Sequence, residues 1–109
     1  VGAAIVLREG GVFAGCNVES ASYGLTLCAE RSALSAAIAA RGSLGPGDVT
    51  SVVIATEADA PTPPCGACRQ WLAEFAPRAT VLSVTAGGQE GRWSVAELLP
   101  SAFTGDQLV

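Results

Sequence analysis

The sequence contains no histidine, no lysine and no methionine, and all six of its basic residues are arginines. Ten acidic residues outnumber these arginines and give a net charge of −4. A groove that follows a phosphate backbone needs an excess of basic residues, so a polynucleotide substrate is disfavoured. The absence of histidine means that a metal site in this chain has to begin from cysteine or carboxylate ligands.

Long apolar runs are also absent, so no membrane span is predicted, and no signal peptide is visible. Half of the 109 residues are hydrophobic and only 15% are charged, which predicts one globular domain over residues 1–109. We expect a soluble, cytoplasmic protein. In a reducing compartment, clustered cysteines indicate metal binding before they indicate disulfides.

Three of the four cysteines lie in two clusters, Cys28-Ala29-Glu30-Arg31 and Pro64-Cys65-Gly66-Ala67-Cys68. Three soft thiolates suit Zn²⁺, and a site with three protein ligands keeps a position open for water. A Cys-x-Glu cluster followed by Pro-Cys-x-x-Cys is typical of zinc deaminases whose glutamate moves protons without binding the metal. We therefore predict one zinc ion on Cys28, Cys65 and Cys68, with Glu30 as the catalytic residue.

Other interpretations of the cysteines remain open at this stage. A Cys-x-x-Cys pair can be a redox pair, and four cysteines can form two disulfides. A structural zinc site would need a fourth thiolate, which Cys16 could supply. A non-catalytic, zinc-stabilised interaction domain would have such a closed site and would not need Glu30.

The hydrophobic pattern predicts a β-β-α-β-α-β-β-α order. Helices are predicted at 28–41 and 66–76, and a capping box of Ser94 and Glu97 opens a third, short helix. The apolar tail 101–109 is expected to dock on the domain. Strands are predicted at 1–8, 12–18, 51–56 (as a buried central strand), 80–85 and around Arg92-Trp93.

Two polar residues lie two positions apart at the end of the second strand. Asn17 and Glu19 share one face by the period-2 geometry of a strand, so they could form a hydrogen-bonding clamp. The alternative, which is commoner for such residues, is a pair of solvated loop residues. Cys16 faces the other way, and we predict that it is a buried core thiol.

Both cysteine clusters fall at predicted helix starts, where backbone N–H groups and the helix dipole favour thiolates and lower thiol pKa values. Arg31 is three residues after Cys28, so its guanidinium can reach back to that sulfur. Three thiolates on one Zn²⁺ leave a formal charge of −1, which Arg31 would partly offset. The alternative role for Arg31 is a surface salt bridge.

On these segments the chain resembles the small, homotetrameric cytidine deaminases with three zinc-binding cysteines. The resemblance spans nearly the whole chain and keeps the family order of segments. The matching segments are Val1-Gly2-Ala3-Ala4, Gly15-Cys16-Asn17-Val18-Glu19-Ser20-Ala21-Ser22-Tyr23, Cys28-Ala29-Glu30-Arg31, Pro64-Cys65-Gly66-Ala67-Cys68-Arg69-Gln70 and Glu97-Leu98-Leu99-Pro100-Ser101-Ala102-Phe103.

The resemblance implies a three-layer α/β/α fold with a mixed five-stranded sheet. It also implies deamination of cytidine and deoxycytidine in pyrimidine salvage, by a homotetramer with one Zn²⁺ per chain. By it, Asn17 and Glu19 would hold the ribose 3′-hydroxyl. Ala21 and Tyr23 would reach the nucleoside site of a neighbouring subunit, and Phe103 would close over the pyrimidine of another.

One departure from the family concerns the start of the chain. The family carries an N-terminal helix and a Tyr-Ser-x-Phe-type segment ahead of Val-Gly-Ala-Ala, and we expect both to precede Val1 in the native protein. A blasticidin-type aminonucleoside deaminase shares the three-cysteine pattern and differs in substrate. The Asn17 and Glu19 pair, together with the tail that ends in Phe103, favours cytidine.

Overall fold

A mixed five-stranded sheet forms the centre of the fold. The protein is described here by a computed structural model that covers residues 1–105. The predicted α/β class, the mixed sheet and the element order are confirmed. The strands are β1 (Gly2–Leu7), β2 (Val12–Cys16), β3 (Val49–Thr56), β4 (Thr80–Thr85) and β5 (Glu90–Ser94), and the helices are α1 (Ala29–Arg41), α2 (Gly66–Phe75) and α3 (Val95–Leu98).

The strand order is β2-β1-β3-β4-β5. Strands β3 and β4 run parallel, and the other neighbouring pairs are antiparallel. A parallel pair requires a crossover, which α2 supplies between β3 and β4. The start of α2 therefore lies at the end of the sheet where β3 finishes.

Local sequence signals set the turns and helix ends. Gly10 has φ +104° in the β1–β2 hairpin, and Gly42 has φ +82° directly after α1, both conformations that glycine tolerates. The Ser94 and Glu97 capping box forms as predicted, with both reciprocal hydrogen bonds. Within residues 1–105, no helix has the length and the apolar character needed to cross a bilayer.

One face of the sheet carries the core. Ile5, Val52 and Val81 lie side by side in register on β1, β3 and β4, and each is 0% exposed. They pack in one hydrophobic cluster with buried residues of all three helices. The opposite face alternates with this one along every strand and is half-buried or exposed.

Cys16 belongs to that second face, so the prediction of a buried core thiol is wrong. Its cross-strand partner Gly2 covers little of it, and the cysteine is exposed. Because this second face is open, β3 is central in the sheet but is not buried on both of its sides. The sequence had predicted a buried central strand. Its residues Thr50 and Ala55 are exposed.

Helix α1 lies directly on β2 because Gly15 has no side chain. A Cβ atom there would come within 2.4 Å of the Ala33 nitrogen and 2.9 Å of the Ala29 oxygen, both in the backbone of α1. Three alanines of this helix, Ala29, Ala33 and Ala37, are buried in the chain's own core, whereas the alanines on its outer side are exposed. This close packing fixes the first turn of α1, which carries the cysteine cluster, over the end of the sheet.

Candidate metal centre and substrate cavity

The starts of two helices bring three thiols together. Cys28 is the residue before α1, Cys65 is the residue before α2, and Cys68 lies in the first turn of α2. Their three Sγ atoms all lie within 4.8 Å of one another, and the Cys28 and Cys65 sulfurs are 3.4 Å apart. The predicted placement of both cysteine clusters at helix starts is confirmed.

This spacing fits a single zinc ion. Tetrahedral zinc with Zn–S bonds of about 2.3 Å requires sulfur–sulfur separations of roughly 3.8 Å. All four cysteines are free thiols, and Cys16 is not part of the cluster found within residues 1–105. The arrangement therefore favours a three-thiolate site over two disulfides or a closed four-thiolate site.

The thiols of Cys65 and Cys68 differ in the direction of their pKa shifts. Burial acts to raise the pKa of Cys65, but hydrogen bonds from the Cys68 amide and from Cys28 outweigh it and lower that pKa. Burial strongly raises the pKa of Cys68, and the neighbouring charge of Glu30 raises it further. The prediction of lowered thiol pKa values holds for Cys65 and is wrong for Cys68, because helix-start stabilisation there is outweighed by burial and by Glu30.

Arg31 reaches back to the first cysteine as its spacing predicts. Its NH2 group lies 3.5 Å from Cys28 Sγ. The hydrogen bond to Cys28 raises the pKa of Arg31, so the guanidinium stays charged. Its Nε is buried without a hydrogen-bond partner among the described residues, and no surface salt bridge of Arg31 forms within that part of the chain. Arg31 therefore faces the sulfur cluster.

Glu30 is a buried carboxylate beside the thiols. It is only 5% exposed and interacts with Cys68, yet it is not one of the clustered metal-ligand groups. No arginine forms an ion pair with it in residues 1–105. A carboxylate that is buried without such compensation marks a functional position more often than a structural one.

Glu30 opens onto a cavity of about 280 Å³. The bridge between Val18 and Leu27, with both backbone hydrogen bonds at 2.8 Å, closes the loop that precedes Cys28. This bridge places the end of β2 against the start of α1. The cavity is lined by Val1, Asn17, Glu19, Thr26, Leu27, Cys28, Ala29, Glu30, Ile54, Thr62, Pro63 and Cys65.

The predicted polar pair, Asn17 and Glu19, therefore lies in the same cavity as Glu30 and the thiols. The Asn17 amide can donate hydrogen bonds through Nδ2 and accept them through Oδ1. An amide donor and a carboxylate acceptor together match the two hydrogen-bonding roles of a hydroxyl group.

Three other candidates do not line this cavity. Ala21 is exposed, Tyr23 is 90% exposed and Phe103 is 50% exposed. None of them reaches the pocket of its own chain. The tail predicted to dock over 101–109 contacts the domain at the Phe103 oxygen, which accepts a hydrogen bond from Gln70, and residues 106–109 lie outside the described residues.

The loop that delivers Cys65 is anchored by two residues, Ser83 and Arg69, that were not predicted as site residues from the sequence. Ser83, fully buried on β4, accepts a hydrogen bond from the Thr62 backbone at 3.0 Å. Arg69 donates from Nε to the Pro64 oxygen at 2.7 Å. The sequence offers one signal for Ser83, because it is a polar residue on the buried face of an otherwise apolar strand. Arg69 lies inside the cysteine motif but at a position without obvious chemistry.

Comparison with known proteins agrees with this geometry. The family described as the cytidine and deoxycytidylate deaminase zinc-binding region matches residues 1–84, which include both cysteine clusters. A cytidine deaminase from Halalkalibacterium halodurans is 45% identical over 111 residues, covering 99% of this chain and 80% of that protein.

A solved structure gives the same result. The crystal structure of cytidine deaminase from Burkholderia pseudomallei superposes with a TM-score of 0.87 at 46% identity, covering 94% of this chain and 80% of that one. A blasticidin-S deaminase from Bacillus cereus is 30% identical over 112 residues, covering 95% of this chain and 76% of that protein. This blasticidin-S deaminase is thus matched at lower identity than the two cytidine deaminases described above.

Proposed function

This chain belongs to the cytidine and deoxycytidylate deaminase family, and we propose that it hydrolyses cytidine and deoxycytidine to uridine and deoxyuridine. The reaction replaces the amino group on C4 of the pyrimidine by oxygen from water and releases ammonia. The observation that carries the proposal is the buried Glu30 beside three converging thiols at the end of a nucleoside-sized cavity.

Cys28, Cys65 and Cys68 are the proposed ligands of one Zn²⁺. When bound, zinc supplies the Lewis acidity that lowers the pKa of a water ligand. Glu30 takes one proton of the attacking water and passes it to the ring nitrogen N3. It then takes the proton of the hydroxyl group formed on C4 and delivers it to the departing amine, which leaves as ammonia. Its burial supports this role, because a carboxylate shielded from solvent keeps the proton on the reaction path.

Arg31 is the proposed electrostatic partner of the sulfurs. Three thiolates outweigh the charge of Zn²⁺ and would reduce its power to acidify water. The contact from Arg31 to Cys28 withdraws electron density from that sulfur and restores part of the Lewis acidity.

The test of the function is direct. Purified protein should release one ammonia per uridine formed from cytidine and should contain one zinc per chain. Deoxycytidine and blasticidin S should be assayed beside cytidine, since the fold also matches an aminonucleoside deaminase. Turnover of blasticidin S alone would replace the proposed substrate, and zinc without turnover of any of the three would favour the non-catalytic interpretation.

Asn17 and Glu19 are the proposed binding residues for the ribose 3′-hydroxyl. Asn17→Ala or Glu19→Ala should weaken cytidine binding by about 1–3 kcal/mol, the cost of leaving the ribose hydroxyl without its hydrogen-bond partner in the complex. Binding of free cytosine should change little, because cytosine has no sugar. Inhibition constants for nucleoside and base, measured on the same preparations, test this. Equal losses for both ligands would mean that the pair supports folding instead.

We further propose a cytoplasmic homotetramer that serves pyrimidine salvage. Exposed apolar side chains support association: Tyr23, Leu25, Val18 and Phe103 are each at least half exposed in the single chain. Ala21 and Tyr23 are assigned to the nucleoside site of one neighbour, and Phe103 is assigned to the pyrimidine of another. Their absence from the chain's own cavity agrees with such an exchange.

Phe103→Ala should weaken cytidine binding by roughly 1–3 kcal/mol, the scale of base–aromatic stacking, with zinc content unchanged. Co-expression of Phe103→Ala with Glu30→Gln tests action between subunits. Mixed tetramers contain sites with Glu30 from one chain and Phe103 from another, so tight binding and turnover should reappear together. Activity no greater than the sum of the separate variants would mean that Phe103 acts within its own subunit.

A further inference from the structure

Arg69 is the residue directly after Cys68 and lies in the first turn of α2. Its side chain makes two hydrogen bonds, both to backbone carbonyls. Nε donates to Pro64 O at 2.7 Å, and NH1 donates to Leu98 O at 3.1 Å. Within residues 1–105 it has no carboxylate partner. The guanidinium is therefore used to hold backbone from two segments that are distant in sequence.

The first of these segments ends at a proposed metal ligand. Pro64 O belongs to the peptide group that joins Pro64 to Cys65, so fixing that oxygen fixes the plane of the peptide preceding the ligand. The loop offers few other anchors, because Pro61, Pro63 and Pro64 have no backbone N–H. Arg69 thereby restricts the backbone from which the Cys65 thiol projects.

The second segment leads to the tail. Leu98 is the last residue of α3, and its oxygen accepts the bond from NH1. The next residue of α2, Gln70, donates from Nε2 to Phe103 O at 2.7 Å. Two consecutive residues of one helical turn therefore hold the ligand loop and both ends of the segment 98–103.

We propose that Arg69 is a positioning residue that orients the Cys65 thiol for zinc and ties the tail to the same turn, an inference that rests on the proposed zinc role of Cys65. It acts through the Pro64 carbonyl and not through sulfur, which distinguishes it from Arg31. The two donors diverge from one rigid plane, a geometry that lysine cannot reproduce although it keeps the charge.

The test is Arg69→Lys with Arg78→Lys as its matched control, since Arg78 is exposed and lies beyond the other end of α2. Removal of zinc by a chelator should become about 10–100-fold easier in Arg69→Lys, the usual effect of losing a partner behind a metal ligand. The sulfur-to-metal charge-transfer bands of the cobalt-substituted protein should also shift. Both properties should be unchanged in Arg78→Lys.

Gln70→Met separates the two contacts, because it removes the bond to the tail and an exposed bond to Glu74 but leaves both Arg69 bonds in place. It should raise the KM for cytidine and leave the cobalt spectrum as in the wild type. If it changes the spectrum as much as Arg69→Lys does, the metal geometry depends on the tail and the role of the Pro64 contact is wrong. In Arg69→Ala, added ethylguanidinium should restore part of the wild-type spectrum.

An Arg69→Lys protein that melts earlier but keeps its cobalt spectrum and chelator rate would make Arg69 purely structural and overturn the proposal. If no Arg69 variant folds, the wild-type protein still tests the proposal. The Nε proton of Arg69 should exchange with water much more slowly than that of Arg78, and equal rates would contradict the hydrogen bond. A wild type that binds metal but does not deaminate cytidine would refute the proposed function and leave these metal readouts valid.

Discussion

Replacing Glu30 by glutamine should lower cytidine turnover by at least about 10²–10⁴-fold, the usual contribution of a positioned proton-transfer group. Glutamine keeps the volume of the side chain but cannot take up and return a proton at this position. The fold and zinc content should be retained, because Glu30 is not among the clustered metal-ligand groups. Ammonia release, metal analysis and thermal melting on one preparation measure all three properties.

Glu74→Gln is the matched control for that experiment. Glu74 is exposed on the outer side of α2, where it accepts a hydrogen bond from Gln70. The same loss of a carboxylate there should leave turnover within the error of the assay. Near wild-type deamination by Glu30→Gln would remove Glu30 from the mechanism. Loss of zinc from Glu30→Gln would instead mean that Glu30 helps to hold the metal.

The second large effect is expected at the cysteines. Cys68→Ser should weaken zinc binding by more than the roughly 10–100-fold that outer partners contribute, because it removes a proposed ligand itself. Cys16→Ser makes the same change of sulfur to oxygen on the exposed face of β2. That variant should keep one zinc per chain and full turnover. Zinc content by mass spectrometry under native conditions, with activity on the same samples, separates the two outcomes.

Loss of zinc from Cys16→Ser would contradict the three-thiolate site and favour a closed, structural one. Retention of zinc and turnover by Cys68→Ser would show that Cys68 is not a ligand. The geometry argues against the first result, since Cys16 is outside the sulfur cluster within residues 1–105.

Local patterns were sufficient to predict the order of strands and helices and the position of each cysteine cluster, whereas the mixed-sheet fold was predicted from the family resemblance and the convergence of the cysteines from the zinc-deaminase motif. Apolar periodicity and the glycine and proline positions mark the elements, and the spacing in each cysteine cluster places its thiols at a helix start. Spacing also predicted the contact between Arg31 and Cys28.

Other features depended on contacts between distant segments. Period-2 geometry shows that Cys16 and Asn17 face opposite ways, but it does not show which face of the sheet is covered. The raised pKa of Cys68 arises from its burial and from Glu30 on a different helix. The hydrogen bonds from Arg69 join residues that are 5 and 29 positions away, and nothing in the local pattern indicates them.

The meeting of the helix starts also has a thermodynamic consequence. Cys28 and Cys65 are 37 residues apart and lie on either side of β3, so an ion held by both clusters cross-links the folded chain. A ligand that binds only the native state stabilises it by RT ln(1 + [L]/Kd), about 4 kcal/mol at a thousandfold excess over Kd. The folding equilibrium of this protein is therefore linked to zinc activity, and its melting temperature is defined only at a stated free zinc concentration.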